Sequence, residues 1–538
     1  MRVTASPRLG DIAGWGRFDR FISEAIERIR PGTVVLTVSI LYLLKVFLNY
    51  ESYGVDSLFY SQVANSLKDG SLFRLPESNQ VILFPTYALP MLIHLFEEIL
   101  GTSQPVKLVT VGAAISAIVL NYRLCRGKLD REQSRWFLLL LALSTTIYWY
   151  ADEIHNNVLL WLFITMFFVT VERYERDRRV VNVFWISLAV VAAIYARVLG
   201  VILLPLATVQ VMRERDYRGL AYGVLFVAVL LIPFWVHLAY FFAEIPDGGG
   251  SLAMANTMYP SDLNVLHAPS PLAPGGTLGL LSASRTLSQM LYFVVVLPGK
   301  MVSHVYYPGS QLVLGGVDFK AFVDFCTDNV DVVVSLPFLI GFSRYFSKYR
   351  LLSLYVVLHT LCLLYKGRFG FGSGLDMRYF LQCSGIYVFF FVKGMKDLIP
   401  RDRLRRLVLV LLISGNLAVL TYANVNVVLQ APLLRNLASA RDFIVETEPG
   451  PSIKTVVAPR HVFSSHLGFV TTKPVRHSNA LGVLTWLDKT ETEYIVLSSA
   501  SFGLSELDME LVRRALEKED YELVFSSPKP RVMLLKRQ

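Results

Sequence analysis

The chain has 538 residues, of which 54% are apolar and only 17% charged, with a mean hydropathy of +0.47. A soluble domain carries about 25% charged residues, so a wholly water-facing protein is excluded, together with disorder, collagen, coiled coil and a disulfide-stapled scaffold. Lys and Arg number 52 against 42 Asp and Glu, a net +10, and Cys125, Cys326, Cys362 and Cys383 lack metal-like spacing. The composition is that of a polytopic α-helical membrane protein.

Residues 17–29 (RFDRFISEAIERI) read as an amphipathic helix on the membrane surface. A bilayer core about 30 Å thick needs roughly 20 apolar residues per crossing, and backbone groups in lipid must bond internally, so long apolar runs are helices. Such runs lie near 33–50, 105–122, 136–150, 157–172, 218–242, 330–346, 351–366, 378–395 and 406–424. The stretch 181–212 holds two more, broken around Arg197 and Gly200. Residues 81–100, with two prolines, suit a juxtamembrane or partly inserted hairpin, and 286–306 either a short crossing pair or an interfacial helix. The expectation is about 11 to 13 transmembrane helices.

Basic clusters fall at Arg17–Arg30, Arg123–Arg135, Arg173–Arg179, Arg213–Arg218, Arg344–Arg350 and Lys393–Arg406. All lie on one side if the helices alternate and 81–100 does not cross, which makes that side, and the N-terminus, cytoplasmic. Residues 1–30 then form a cytoplasmic segment and 31–428 the membrane domain, with outer loops 51–104, 151–157, 243–329 and 367–378. After about 430, TVVAPR, TEYIVLSS, YELVFSS and PRVMLLKR alternate with the amphipathic ELDMELVRRALEKE, capped by Ser505 and Asp508. Residues 429–538 are thus expected to form a small extracytoplasmic α/β domain. No cleavable leader is apparent, and short loops favour a plasma (inner) membrane.

Three outer stretches carry polar groups that lipid would penalise. Asp56 precedes SLFYSQVANSLKDG, whose Leu58, Phe59, Val63, Ala64 and Leu67 recur at helical spacing. It is either the N-cap of that helix or a functional carboxylate at the helix's positive end. YWYADEIHNN places Asp152, Glu153, His155, Asn156 and Asn157 between two apolar runs. Glu153 and Asn157 share a face if the next helix begins early. With Asp56, the acids and His155 make a donor set for a divalent cation such as Mg or Mn; the alternative is a solvated loop. KGRFGFGSGLDMRYF brings Lys366, Arg368 and Arg378 beside four glycines, a pattern that suits an anionic lipid headgroup or ordinary snorkelling cations. It is no Walker loop, because no GK[ST] follows. Arg197 must face protein or mark a boundary.

Taken together these stretches resemble the GT-C glycosyltransferases, in particular the protein O-mannosyltransferase and aminoarabinose transferase group. An acid followed by YSQVANSLKDG is similar to that group's first outer loop, and YWYADEIHNNVLL to its second. YARVLGVILLP is similar to its TRPxGLLLLP helix pair, and LDMRYFLQCSGIY to its ExRYLLPxLP lead into a late helix. The match runs in order from about residue 40 to 395.

The resemblance implies transfer of a monosaccharide from a polyprenyl-phosphate donor to a lipid, glycan or protein hydroxyl at the outer face, with inversion and without nucleic acid. It implies Asp56 as catalytic base, Glu153 as second-loop acid, and Arg378, aided by Arg368 and Lys366, on the donor phosphate. Asp152, His155 and Asn157 would position the acceptor or a cation. The chain departs from the group at 83–86, where LFPT replaces KPP, and at Ser57, which follows Asp56 where the mannosyltransferases carry Glu. The oligosaccharyltransferase WWD-type signature is absent. Two other classes fit the helices: a lipid transporter or flippase, and an inactive scaffold of the same fold. No internal repeat of the transporter kind is visible, and the acids sit in outer loops rather than at the midplane.

Overall fold

The structure is a computed structural model. It describes residues 13–48, 60, 63–64, 67, 87–100, 103–151, 154–244, 333–368, 377–447, 454–458, 469–472, 480–487, 492–498, 505–518, 521–529 and 531–538. Asp56, Asp152, Glu153, Cys326 and the segment 286–306 lie outside the described residues.

Helix α1 (Ala13–Arg28) is the amphipathic segment, with Ile22 and Ile26 buried and Phe21 exposed. It leads into α2 (Pro31–Leu48), α3 (Ala88–Leu100), α4 (Val106–Arg126), α5 (Arg131–Ala142), α6 (Thr145–Ala151), α7 (Asn156–Arg176), α8 (Val180–Ala196), α9 (Leu203–Arg213), α10 (Tyr217–Leu230) and α11 (Ile232–Glu244). Then follow α12 (Val333–Tyr345), α13 (Arg350–Arg368), α14 (Ser384–Leu398) and α15 (Asp402–Thr447). Helix α7 is the hub: it packs on α4, α8 and the three-ten turn Met377–Cys383.

Among the described residues four helices are individually long and apolar enough to cross a membrane: α2, α4, α7 and the Asp402–Tyr422 part of α15. Several expected single crossings are instead broken. The run 136–150 divides at Leu143–Ser144 into α5 and α6. The run 218–242 bends by 51° between α10 and α11, where Pro233 withholds a backbone N–H. The run 378–395 starts as three-ten helix and becomes α-helix only at Ser384. The stretch 181–212 breaks at Arg197, as its sequence implies, through the three-ten turn Val198–Ile202.

Small residues let two of these helices nearly touch. A Cβ on Gly394 of α14 would overlap Pro337 O of α12, and one on Gly341 would overlap Phe390 O. Without a hydrophobic drive between helices in lipid, backbone approach of this kind is a main source of packing.

Ion pairs and hydrogen bonds gather all six basic clusters at one end of the bundle. Arg406 bonds Asp19 of α1 (3.1 Å) and Glu132 of α5 (3.0 Å). Lys396 reaches Asp130 at 3.1 Å, Lys128 reaches Glu172 at 2.5 Å, and Arg344 reaches Asp397 at 3.3 Å. Arg178 pairs with Glu214, and Tyr174 donates to Asp216 at 2.7 Å. Asp130 also caps α5 in a capping box with Gln133. Burial pushes its carboxyl up, but the Gln133 N–H and the Lys396 ammonium outweigh that and hold it below the usual range.

The tail forms a five-stranded sheet, β1 (Lys454–Val457), β2 (Phe469–Thr472), β3 (Tyr494–Ser498), β4 (Tyr521–Ser526) and β5 (Val532–Arg537), with α16 (Ala480–Leu487) and α17 (Glu506–Leu516). The order is β2-β1-β3-β5-β4, with β1 parallel to β2 and β3, and β5 antiparallel to β3 and β4. Side chains alternate across the sheet. Val456, Tyr494, Val496 and Leu534 meet Leu437, Ala440 and Ile444 of α15, whereas Val457, Ile495, Leu497 and Leu535 meet Val483, Met509 and Val512 of α16 and α17. Buried on both faces, β3 reads as a continuous apolar run. The sequence reading missed β2 and α16, and it stopped the last long helix some twenty residues short of Thr447.

Candidate functional site

Opposite the basic end, Lys45 pins the helix that leads into the YWYADEIHNN stretch. This lysine sits in an otherwise apolar helix, is buried, and donates from Nζ to Tyr148 O (2.9 Å) and Trp149 O (3.1 Å) at the end of α6. A cation there satisfies carbonyls that the short helix leaves open and meets its negative end. The Tyr148 and Trp149 rings flank the same ammonium at 4.6 and 5.2 Å. Sequence reasoning passed over Lys45; its signal is that it is the sole charged residue in α2.

Past that loop His155 is the N-cap of α7: its Nδ1 accepts the Asn157 N–H at 3.0 Å, so the ring proton resides on Nε2. The helix begins at Asn156, behind its capping histidine, so the early start that would put Glu153 and Asn157 on one helical face does not occur. Asn157 is fully buried, and its Oδ1 accepts a hydrogen bond from Arg197 Nη1. Arg197, 7% exposed, is the C-cap residue of α8. It therefore both faces protein and marks a boundary, and it joins the start of α7 to the α8–α9 break. Among the described residues neither side-chain polar atom of buried Asn156 has a hydrogen-bond partner, nor has Asn157 Nδ2.

The four described residues after Asp56, namely Tyr60, Val63, Ala64 and Leu67, are helical and follow the expected spacing. Tyr60 is 1% exposed and meets the His155 ring edge-on with centroids 6.3 Å apart; Tyr150 approaches His155 at the same distance. Val63 packs with Tyr87, which meets Tyr195 at 5.3 Å and His237 at 5.7 Å. The first-loop residues thus touch His155 through Tyr60 and, through Val63, a second group of rings made by Tyr87, Tyr195 and His237.

The third motif meets the same two helices, α6 and α7. Arg378 lies in the three-ten turn Met377–Cys383, which packs against α6 and α7, and Lys366 and Arg368 lie in the last turn of α13. The turn is anchored by fully buried Phe380, Leu381 and Cys383 and by a 2.7 Å bond between Gln382 and His359 of α13.

Of the cation donor set only His155 and Asn157 are described, and neither fits a hard ion. His155 Nδ1 is engaged by a backbone N–H and Asn157 Oδ1 by a guanidinium, whereas Mg and Mn seek free oxygen ligands. Among the described residues no group of three or more His, Cys, Asp or Glu could hold a metal ion. A separate cavity of about 300 Å³ between α8, α9 and α10 extends toward the basic end and is almost wholly apolar, which suits hydrocarbon rather than acid–base chemistry.

Comparisons with known proteins return no matching family model and no matching curated sequence. Solved structures do match. One is ArnT from Cupriavidus metallidurans bound to undecaprenyl phosphate, at 12% identity and a TM-score of 0.41, covering 94% of this chain and 98% of that one. The chain is similar to ArnT over nearly its whole length. The apo form of ArnT gives 0.40 with 97% of its chain covered. An oligosaccharyltransferase from Archaeoglobus fulgidus, tethered to an acceptor peptide with an NVT sequon, gives 0.42 at 12% identity, with 74% of its chain covered. At TM-scores below 0.5 these likenesses settle neither activity nor substrate.

Proposed function

We propose that the chain is a membrane glycosyltransferase that moves a monosaccharide from a polyprenyl-phosphate donor to an acceptor hydroxyl at the face opposite the basic clusters. The observation that carries this reading is the contact between Tyr60, four residues after Asp56, and His155, two residues after Glu153. The flanks of the two acidic outer loops converge at one buried polar cluster, in the order and spacing of the GT-C motifs. By the positive-inside rule the basic end is cytoplasmic, so the cluster and the sheet domain face outward. No nucleotide sugar is available there, which suits a lipid-phosphate donor.

In this mechanism Asp56 accepts the proton of the acceptor hydroxyl as its oxygen attacks the anomeric carbon in line. The carbon–phosphate oxygen bond breaks, the configuration inverts, and polyprenyl phosphate leaves. Arg378 meets the charge that gathers on the departing phosphate, where a guanidinium can bond two oxygens at once. Glu153 orients the acceptor, and the Asn157–Arg197 bond holds the loop that carries it. No step requires a cation.

The test is release of polyprenyl phosphate by the purified full chain from a panel of polyprenyl-phosphate monosaccharides with candidate acceptors. Asp56→Asn is expected to lower turnover by about 10²–10⁴-fold, the scale of a lost general base, with the thermal midpoint unchanged. Turnover within twofold of the parent would remove Asp56 from its role.

A further inference from the structure

At the basic end lies a second cavity, of about 120 Å³, between the C-terminal end of α4, the last turns of α7 and α9, and the start of α13. That is several times the roughly 10–15 Å³ a single water needs. Four cations line it, Lys128, Arg213, Lys348 and Arg350, against two carboxylates, Glu172 and Glu175. Both carboxylates are already engaged. Glu172 takes Lys128 at 2.5 Å and Arg176 at 3.8 Å, and Glu175 accepts from Gln210 Nε2 at 2.7 Å.

Arg213, Lys348 and Arg350 are exposed and, among the described residues, stand within ion-pair distance of no carboxylate, Arg213 acting on Glu175 only at longer range, unlike Arg406, Arg178, Lys396 and Arg344 on the same end, each of which meets a carboxylate. Lys348 lies instead near the Tyr349 ring, 5.7 Å from its centroid. Beneath the cations the wall turns apolar with Leu124, Phe168 and Val171. An excess of cations at the end of a helix long and apolar enough to cross a membrane matches the headgroup level of a lipid leaflet.

We propose that this cavity is a binding site for the phosphate headgroup of an anionic phospholipid in the leaflet on the basic side, far from the polar cluster and independent of any sugar transfer. Arg213 and Arg350 hold the phosphate oxygens in their planar forks, and Lys348 adds a point charge. The lipid would tie α9 and α13 to the central helix α7. Generic attraction of a basic face to anionic membranes supplies the background against which a site must be distinguished.

The test uses the full chain, purified in detergent and stripped of lipid, titrated with phosphatidylglycerol, phosphatidylcholine or inorganic phosphate. Bound lipid is counted by native mass spectrometry and the thermal midpoint is followed in parallel. Saturable uptake of phosphatidylglycerol with a raised midpoint, and none with phosphatidylcholine, is expected. The triple variant Arg213→Gln, Lys348→Gln, Arg350→Gln should bind it at least about tenfold more weakly. A control that removes as much charge from the same end outside the cavity, Arg131→Gln, Arg173→Gln, Arg218→Gln, should bind as the parent does. If the pocket triple fails to fold, the pair Lys348→Gln, Arg350→Gln is read in its place. Equal losses in both triples, or unchanged binding in the pocket variant, would overturn the site. An equal midpoint shift from inorganic phosphate would overturn the lipid as its occupant.

Discussion

The bond between Arg197 and Asn157 ties the break after α8 to the start of α7, and its worth can be measured apart from everything else the two residues do. A hydrogen bond to a charged group contributes about 1.5–3 kcal/mol, and both partners here are buried. Single substitutions would misreport it. Asn157→Leu loses the acceptor but also removes the unbonded buried Nδ2, whose relief is worth about 1–3 kcal/mol in the opposite direction. Arg197→Met loses every other contact of the guanidinium as well. In a double-mutant cycle those side effects cancel and only the pair energy remains.

The expected coupling is therefore about 1.5–3 kcal/mol, although Asn157→Leu alone should cost little. The assay is unfolding of the full chain in mixed micelles with rising SDS, followed by circular dichroism, for the parent, both singles and the double. The two singles adding within about 0.5 kcal/mol would mean that the bond carries no stability and the loop is held by other contacts.

Gly394→Leu should prevent a monodisperse folded peak in gel filtration, because its side chain would enter the backbone of α12, whereas Gly415→Leu, with open space around it, should behave as the parent. Glu510 is held at about 2, chiefly by hydrogen bonds from Arg513 and then Arg514. Its folded value lies below the unfolded 4.5, so its contribution is full above pH 4.5 and lost as pH falls from there through about 2. Amide exchange of β4 and β5 should accelerate across that window, and Glu510→Gln should flatten the response. The pair Arg403→Gln, Arg406→Gln removes the ion pairs from α15 to Asp19 and from Arg406 to Glu132, so trypsin should cut α1 faster while the bundle's thermal midpoint moves little.

Periodicity and charge made most of the architecture readable. The surface helix, α2, α4, α7 and the gathering of all basic clusters follow from apolar run length and from lysine and arginine placement. Helix breaks followed only where a residue announced them: Arg197 stands out in an apolar run, whereas the division at Leu143–Ser144 has no glycine or proline to mark it. The missed strand β2 is only four residues long, and its parallel pairing with β1 depends on distant chain. In the site, His155 and Asn157 were visible as a polar island between apolar runs. The long-range bonds around them were not, because Lys45 reaches Tyr148 and Arg197 reaches Asn157 across 103 and 40 residues of sequence, and pairing at such range leaves no local pattern.

The unbroken α15 sets a clearance. Its 46 residues extend about 69 Å, of which the apolar part ends at Tyr422 and the part packed into the sheet begins near Leu434. Between them lie roughly ten residues, about 15 Å of rod. Tyr148 joins Asn424 at the foot of that rod, beside the polar cluster. Pro432 stands at its top, where the missing N–H makes the one place within the rod for it to lean. The part of α15 that crosses and the part that carries the sheet are therefore set apart by about three helical turns, a fixed spacer rather than a flexible linker.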